Sequence, residues 1–517
     1  MRAWADSPIT LIRVGFAGSI AMAVASFWVA AVPMYFRGGH TPVVSSLGVG
    51  AVEPRIAFYL GFAALVLAWL RLGALHLAMP EGGDPRLLRR AGLLWMAPLI
   101  ASIPLASRDL WAYSAQSQLV LNNLDPYRFG PSALPGAFSV EVSHRWVDTP
   151  APYGPLWLSL GRGIAAMVGQ HVGMTVVALR LVAVAGFLML AWAIPRLSER
   201  AGGRADIGTW AVLLNPLVLV LGVGGGHNDL LMVGLLAIGL VVVTRPGGTI
   251  ADLVAGMVLL ALATAVKSPA AVAVAFAVPL WLAGRPASCR WRQGPRPVVV
   301  VLGSASVAIG VFAAVTAASG LGFGWVGQVN SSTSVVSWMS LPTLVAVGWD
   351  VLHGEGHHAL RLDGQMETMR TIGSAVAVMI LLALWLWAMR RALKAERVAG
   401  GAARRDAVAV VWSLLAAAFV VVVILGPAVQ PWYFLWALVG VVALRLRNRQ
   451  LALIAGLSIG MVAMIRPNGV GLQMNPAVVP ILIIPVLVAR RAFGLGSRRP
   501  VVGPARAGRD RLTHANP

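Results

Sequence analysis

Residues 207–283 read IGTWAVLLNPLVLVLGVGGGHNDLLMVGLLAIGLVVVTRPGGTIADLVAGMVLLALATAVKSPAAVAVAFAVPLWLA. The charged residues in this stretch are Asp229, Arg245, Asp252 and Lys267, and they stand at or beside the ends of four apolar runs, 207–223, 228–244, 251–266 and 269–283. Apolar runs near the length that crosses about 30 Å of hydrocarbon are the signature of membrane helices. The pattern continues outward in both directions, with further runs at 14–32, 56–79, 91–107, 174–194, 298–318, 371–389, 407–425, 432–444, 451–465 and 477–489. The whole chain of 517 residues is 58% hydrophobic and 12% charged, against about 25% charged in soluble domains. The expected fold is an all-α polytopic membrane protein with about 13–15 transmembrane segments, outer-face loops and short surface helices.

A net charge of +22 would suit a nucleic-acid binder if it formed a basic face or an aromatic-interleaved patch. It does neither. The basic residues sit in short connections between apolar runs: Arg86–Arg90, Arg196–Arg204, Arg285–Arg296, Arg390–Arg405, Arg445–Arg449 and the tail from Arg490. Short loops rich in Lys and Arg stay in the cytoplasm, so nucleic acid is excluded as a partner and the bilayer is the expected one. All the basic segments share one side if the N-terminus is cytoplasmic and the weaker run Leu156–Val168, interrupted by Arg162, does not cross completely. That run is expected to be half-inserted or to lie along the surface. Residues 1–491 then form one transmembrane domain, with 108–155 and 319–370 as its main outer loops. Residues 492–517 form a basic, disordered cytoplasmic tail, so both termini are cytoplasmic. The single cysteine, Cys289, excludes an intrachain disulfide. The run 14–32 is too long for an ordinary signal-peptide core and is read as a retained first helix.

The segments assigned outside are poor in basic charge and rich in Asp, His, Gln, Asn, Trp and Tyr, so function is expected to face outward. In Ser107-Arg108-Asp109-Leu110-Trp111-Ala112-Tyr113-Ser114-Ala115-Gln116, a helix would put Asp109, Tyr113 and Gln116 on one face, at i, i+4 and i+7. An ionisable group at a span end is costly to leave facing lipid and tends to line a watery cavity. An aspartate there can take a proton from an attacking hydroxyl; the Arg-Asp pair also reads as a simple interfacial anchor. Asn122-Asn123-Leu124-Asp125-Pro126-Tyr127 and Thr149-Pro150-Ala151-Pro152-Tyr153-Gly154-Pro155 are dense in turn formers. They are either loop punctuation or a rigid shelf offering Tyr127 and Tyr153 to a sugar, whose apolar face stacks on aromatic rings. Gly224-Gly225-Gly226-His227-Asn228-Asp229 lacks the Gly-Lys-Ser/Thr of a phosphate loop. Polar substrate contact, a turn hydrogen bond and a metal ligand all remain open for it. No cofactor is called for; a divalent cation is possible there but nothing else in the pattern supports it. Lys267 in Lys267-Ser268-Pro269, with Arg180 and Arg466, supplies cations at the outer interface that suit a phosphate leaving group, or that snorkel to headgroups. Gln430-Pro431-Trp432-Tyr433 reads equally as an interfacial aromatic belt or as part of a site.

Together these motifs resemble the polyprenol-phosphate-mannose-dependent α-1,6-mannosyltransferases of actinobacteria, the Mpt family of the GT-C superfamily. The resemblance rests on SRDLWAYSAQ (107–116), LDPY (124–127), TPAPYGP (149–155), NPLVLVLGVGGGHNDLLMVG (215–234), AVKSPA (265–270) and QPWY (430–433), which occur in that order. It implies a GT-C-type multi-helix bundle with its active site open to the outer leaflet, and a plasma-membrane location. It also implies transfer of mannose from polyprenyl-phosphate-mannose to the lipid-anchored α-1,6-mannan backbone of lipomannan and lipoarabinomannan. In the family the Arg-Asp pair after an early span supplies the catalytic aspartate, which falls on Asp109; the other residues carry over only as cavity lining. The expected reaction is a direct inverting displacement, with Asp109 as base and Lys267, Arg180 or Arg108 offsetting the charge of the leaving polyprenyl phosphate. Rival readings are a transporter or flippase of a lipid-linked sugar, an envelope assembly subunit, and a related transferase of another sugar such as arabinose. The first of these favours paired repeats with polar groups at the bilayer midplane, whereas here they collect at one face.

Overall fold

The computed structural model describes residues 7–33, 52–285, 297–328, 337, 339–353, 364–397, 401–441, 444, 446–471 and 479–494. The tail beyond Gly494 and the loop holding Cys289 lie outside them. Helices α1 (Pro8–Val29), α2 (Val52–Leu77), α3 (Pro85–Ile100), α4 (Asp109–Leu121), α5 (Pro155–Val168), α6 (Val172–Arg200) and α7 (Ala205–Leu213) lead into a π-helix, Leu217–Gly224. Then come α8 (Asp229–Val243), α9 (Ile250–Val266), α10 (Ala271–Gly284), α11 (Pro297–Ser319), α12 (Leu341–Leu352) and α13 (Gly364–Arg397). The last four are α14 (Gly401–Leu425), α15 (Phe434–Val441), α16 (Asn448–Ala463) and α17 (Val479–Ala492).

Among the described residues, six helices are long and apolar enough to cross a bilayer: α1, α2, α6, α11, and the parts of α13 and α14 spanning Gly364–Ala395 and Arg404–Leu425. The chain is a polytopic membrane protein. Helix α7 and the π-helix together are also long and apolar enough to cross, as one broken span or a re-entrant pair, bent by 47° at Asn215-Pro216, where proline has no N–H to give. The break is satisfied internally, as non-helical backbone at membrane depth must be. Asn215 accepts from the Leu217 amide at 2.9 Å and donates to Ala211 O at 2.9 Å and Ser458 Oγ at 3.0 Å. The remaining apolar runs form shorter helices. The weak run 156–168 is α5, whose 14 residues rise about 21 Å, short of a full crossing.

The run 91–107 does not continue as one helix into Asp109. Helix α3 ends at Ile100, two residues after Pro98, and an irregular segment follows until α4 begins at Asp109. That segment is wedged between two other connections: Leu105 N donates to Gly224 O at 3.0 Å and Ala106 N to Pro467 O at 2.8 Å. Arg180, buried on α6, gathers its exposed carbonyls, donating to Ile100 O at 3.0 Å, to Ser102 O, and to Gly224 O at 3.0 Å. A cation among carbonyls at helix C-termini is favoured by the helix dipole, and here it fixes the 101–108 segment against the 224–228 turn. Helix α6 also meets α8 without intervening side chains. A Cβ on Gly186 would lie 2.2 Å from Leu230 O and one on Gly234 would lie 2.7 Å from Gly186 O, the close approach by which small residues join helices in lipid.

Candidate active site

Five connections from different parts of the chain meet at one end of the bundle: 101–108, 145–154, 224–228, 267–270 and 426–433. Between them lies a cavity of about 200 Å³, whose walls include Asp109, Gln116, Trp146, Tyr153, Lys267, Gln430, Trp432, Tyr433 and Trp436. The basic connections around Arg200, Arg204, Arg245 and Arg285 close the opposite ends of the same helices.

Asp109 is the first residue of α4, where an anion is stabilised by the free amides and the dipole. Its backbone amide donates to Ser107 Oγ at 3.0 Å, and its Oδ2 lies 3.3 Å from His227 Nδ1. Burial by itself would raise the Asp109 carboxyl; the contact with His227 and the charge of Lys267 outweigh it and hold the group below the ordinary aspartate value. The predicted face is present, because α4 starts at Asp109 and keeps the spacing. Gln116 lines the cavity with Asp109, and the Tyr113 hydroxyl donates to Asn228 Oδ1 at 3.4 Å behind it.

The glycine run turns out to be a tight corner. Gly226 has φ of +67°, and a Cβ there would stand 2.3 Å from the Leu110 side chain. The corner presses the 227–229 segment against α4. His227 is fully buried, faces Asp109, and stacks on the cavity-wall ring of Trp432 at 4.1 Å between centroids.

Asp229, the first residue of α8, is completely buried. Lys267 Nζ donates to both its oxygens at 2.9 Å, and Trp436 Nε1 donates to Oδ1 at 2.5 Å. The ammonium also sits over Tyr433 at 4.8 Å, Trp436 at 5.5 Å and Tyr153 at 5.7 Å. Lys267 stands in extended backbone at the break between α9 and the Ser268–Ala270 turn, so the Ser-Pro constraint aims it into the cavity. Two carboxylates thus share one site in different environments. Both oxygens of Asp229 are occupied and inaccessible, whereas the Asp109 side chain is 11% exposed and forms part of the cavity wall. Asp109 is the carboxylate a bound hydroxyl can reach.

Residues 12–283 match the family described as α-(1→6)-mannopyranosyltransferase, N-terminal domain, and residues 342–493 match the MptB C-terminal domain. The chain belongs to the α-(1→6)-mannopyranosyltransferase family. It is 33% identical to α-(1→6)-mannopyranosyltransferase A of Mycobacterium tuberculosis over 88% of this chain and 84% of that protein. A second α-(1→6)-mannopyranosyltransferase of the same organism is 31% identical over 77% of this chain and 73% of its own length. The A enzyme of Corynebacterium glutamicum is 28% identical over 77% and 81%. No solved structure matches the chain. The chain is thus a membrane mannosyltransferase of this family.

The structure brings Asp109, Gln116, Tyr153, Lys267, Gln430, Trp432 and Tyr433 to the wall of this mannosyltransferase's cavity, with Tyr113, His227, Asn228 and Asp229 directly behind it. Other expected residues lie elsewhere. Tyr127 is one layer back, its hydroxyl donating to Tyr153 O at 3.1 Å, while Asp125 caps the Tyr127 amide at 2.9 Å and pairs loosely with exposed Arg128. Arg108 holds Glu141 instead, from NH2 to Oε2 at 3.0 Å and from Nε to the backbone oxygen at 2.9 Å, pinning the 122–154 loop. Arg180 is the carbonyl tether described above, and Arg466 is exposed on the turn that buttresses Ala106. Among the described residues no group of three or more His, Cys, Asp or Glu gathers as a metal site. Sequence reasoning missed Trp436 and Trp146. Trp436 was legible: three residues after Tyr433, it shares a helical face with it, and the two rings stack at 4.3 Å. Trp146 carried no comparable signal.

Proposed function

We propose that this mannosyltransferase moves mannose from polyprenyl-phosphate-mannose to the α-1,6-mannan backbone of lipomannan and lipoarabinomannan, with Asp109 as the base. The observation that carries this reading is the pairing, across one cavity, of an accessible carboxylate with a buried ammonium. An acceptor hydroxyl is deprotonated by Asp109 as its oxygen bonds to the anomeric carbon. The bond from that carbon to the phosphate oxygen breaks, and the polyprenyl phosphate departs toward Lys267. Preorganised charge of this kind is worth most in a site that excludes water. A β-linked donor and an α-linked product require one inversion, which a single displacement gives. The aromatic walls, Tyr153, Trp432 and Tyr433, suit the apolar face of a pyranose, and a volume of about 200 Å³ suits one sugar unit more than a whole oligosaccharide. The separation of this site from the basic connections supports an outward-facing active site with both termini in the cytoplasm.

The test uses membranes containing the chain, polyprenyl-phosphate-mannose and short α-1,6-oligomannosides. Wild type extends the acceptor only when the lipid donor is present. Asp109→Asn inserts normally and transfers no mannose; near-wild-type transfer by that variant overturns the assignment of the base. Export of intact lipid-linked sugar from reconstituted vesicles, with no new mannosidic bond, would support a transporter instead.

A further inference from the structure

Several polar groups close to Asp109 are tied down, while Gln116 Oε1, Asn228 Nδ2 and the ring nitrogens of His227 are buried without a hydrogen bond. Asp229 is saturated by Lys267 and Trp436, Tyr113 is engaged with Asn228, and Tyr153 accepts the Tyr127 hydroxyl through its carbonyl. His227 is different. Its ring is completely buried, its Nδ1 lies 3.3 Å from Asp109 Oδ2 in an ion-pair contact, and neither ring nitrogen has a hydrogen bond of good geometry. Burying an imidazole costs free energy unless its polar atoms are matched, and the fold uses a left-handed corner that only glycine takes readily, at Gly226, to hold this one against the carboxylate. Its far face rests on Trp432, a wall of the cavity.

We propose that His227 is a positioning residue for the base: its Nδ1, 3.3 Å from Asp109 Oδ2, is placed to donate to that oxygen as the acceptor binds, leaving the other oxygen turned to the acceptor hydroxyl. The proposal rests on the reading of Asp109 as base and deepens it. By stacking on Trp432, the same imidazole keeps the carboxylate in register with the ring expected to support the sugar. The acceptor proton ends on the free oxygen of Asp109 and is released to water when product leaves; His227 keeps its own proton throughout. The charged and titratable groups near this pair are Lys267 on the cavity wall, Asp229 behind it, and the phenols of Tyr113, Tyr153 and Tyr433. Of these Lys267 supports the ionised carboxylate, and His227 is the group in direct contact with it.

The test compares His227→Phe and His227→Asn with wild type and with Asp109→Asn in the membrane assay, after checking that each variant purifies as a folded species with wild-type thermal stability. Phenylalanine keeps the stack on Trp432 and loses only the donor, since the unpartnered Nε2 has no bond to lose. Asparagine returns an N–H near the Nδ1 position. A misplaced catalytic group costs on the order of 100-fold, so His227→Phe is expected to lose about that much kcat with the donor KM changed little. Without its hydrogen-bond donor the buried carboxylate holds its proton more tightly, so the acid limb of the pH profile moves to higher pH. His227→Asn recovers much of the rate and moves the limb back. Wild-type kcat and an unmoved limb in His227→Phe, with Asp109→Asn inactive, overturn the role of His227 alone. Loss of rate in both variants with an unmoved limb also overturns it, because that is packing. Transfer by Asp109→Asn overturns the underlying reading of the base instead.

Discussion

Replacing Lys267 by methionine separates what the ammonium does for the fold from what it does for the reaction. Lys267 and Asp229 have side chains 9% and 0% exposed and meet through two bonds of 2.9 Å. The substitution leaves Asp229 with the Trp436 N–H as its remaining side-chain donor. Breaking a buried pair from one side costs about 3–5 kcal/mol, because an uncompensated charge stays behind, whereas replacing both partners with neutral groups is often close to neutral. Lys267→Met is therefore expected to lower the Tm of the detergent-solubilised protein, and Lys267→Met with Asp229→Asn to restore most of it. Transfer should behave differently. The double variant is stable yet has no cation for the departing phosphate, so its kcat stays depressed by at least about tenfold, which is 1.4 kcal/mol of transition-state stabilisation. The assays are thermal unfolding followed by tryptophan fluorescence, and single-turnover mannose transfer at saturating acceptor. A double variant with wild-type turnover would refute the leaving-group role and leave Lys267 as a structural ion alone.

Other expectations follow from the same geometry. Trp436→Phe removes an N–H bonded to a carboxylate at 2.5 Å and should cost about 1.5–3 kcal/mol, read as a drop in thermal stability with weaker donor use. Arg180→Leu removes the guanidinium donor from the Ile100 and Ser102 carbonyls and leaves Gly224 O with the Leu105 amide alone; it should destabilise the protein and lower kcat through the 101–108 segment while leaving donor KM nearly unchanged in the fraction that folds. Because Asp109 is held below the ordinary aspartate value, it stays ionised as pH falls below neutrality. Wild-type transfer should therefore persist in mildly acidic buffer and fall only as pH drops through the lowered value, as a pH–rate profile would show.

The membrane architecture was legible because apolar runs and arginine clusters are set by the bilayer itself. Part of the candidate cavity's lining was legible too, since Asp109, Lys267 and Trp432 are polar or amphipathic groups at the ends of apolar runs, though anchoring read equally well there until the structure brought them to one wall. The partners were not. Nothing in the linear order says that Lys267 meets Asp229 rather than a phosphate, or that Arg180 caps carbonyls contributed by residues 100, 102 and 224. These pairings depend on which helices pack together, and in lipid that choice is made by small residues such as Gly186 and Gly234, whose signal is the absence of a side chain. The end of α3 at Ile100 was hidden because the residues after it are as apolar as a helix in lipid needs to be; Pro98 and Pro104 were the available hints.

The short helices at the centre of the bundle bear on how the lipid-borne donor proposed above would reach the site. Helices α8, α9 and α10 have 15, 17 and 14 residues, which rise about 22, 25 and 21 Å against a hydrocarbon core of about 30 Å. With the Arg245 and Arg285 ends at the cytoplasmic boundary, the opposite ends, carrying Asp229, Lys267 and the 268–270 turn, stop several ångströms inside the outer boundary. The cavity would then be recessed to the depth at which a polyprenyl phosphate carries its sugar, and the donor need not leave the leaflet to react. Accessibility labelling tests this arrangement. In a Cys289→Ser background, a membrane-impermeant maleimide applied to intact cells should react quickly with His144→Cys on the outer loop and slowly with Ser268→Cys on the cavity wall. Glu81→Cys, in the turn between α2 and α3, should react only after permeabilisation. Reaction of Glu81→Cys in intact cells, with Ser268→Cys and His144→Cys protected, would turn the molecule over and remove the outer-leaflet donor from the scheme.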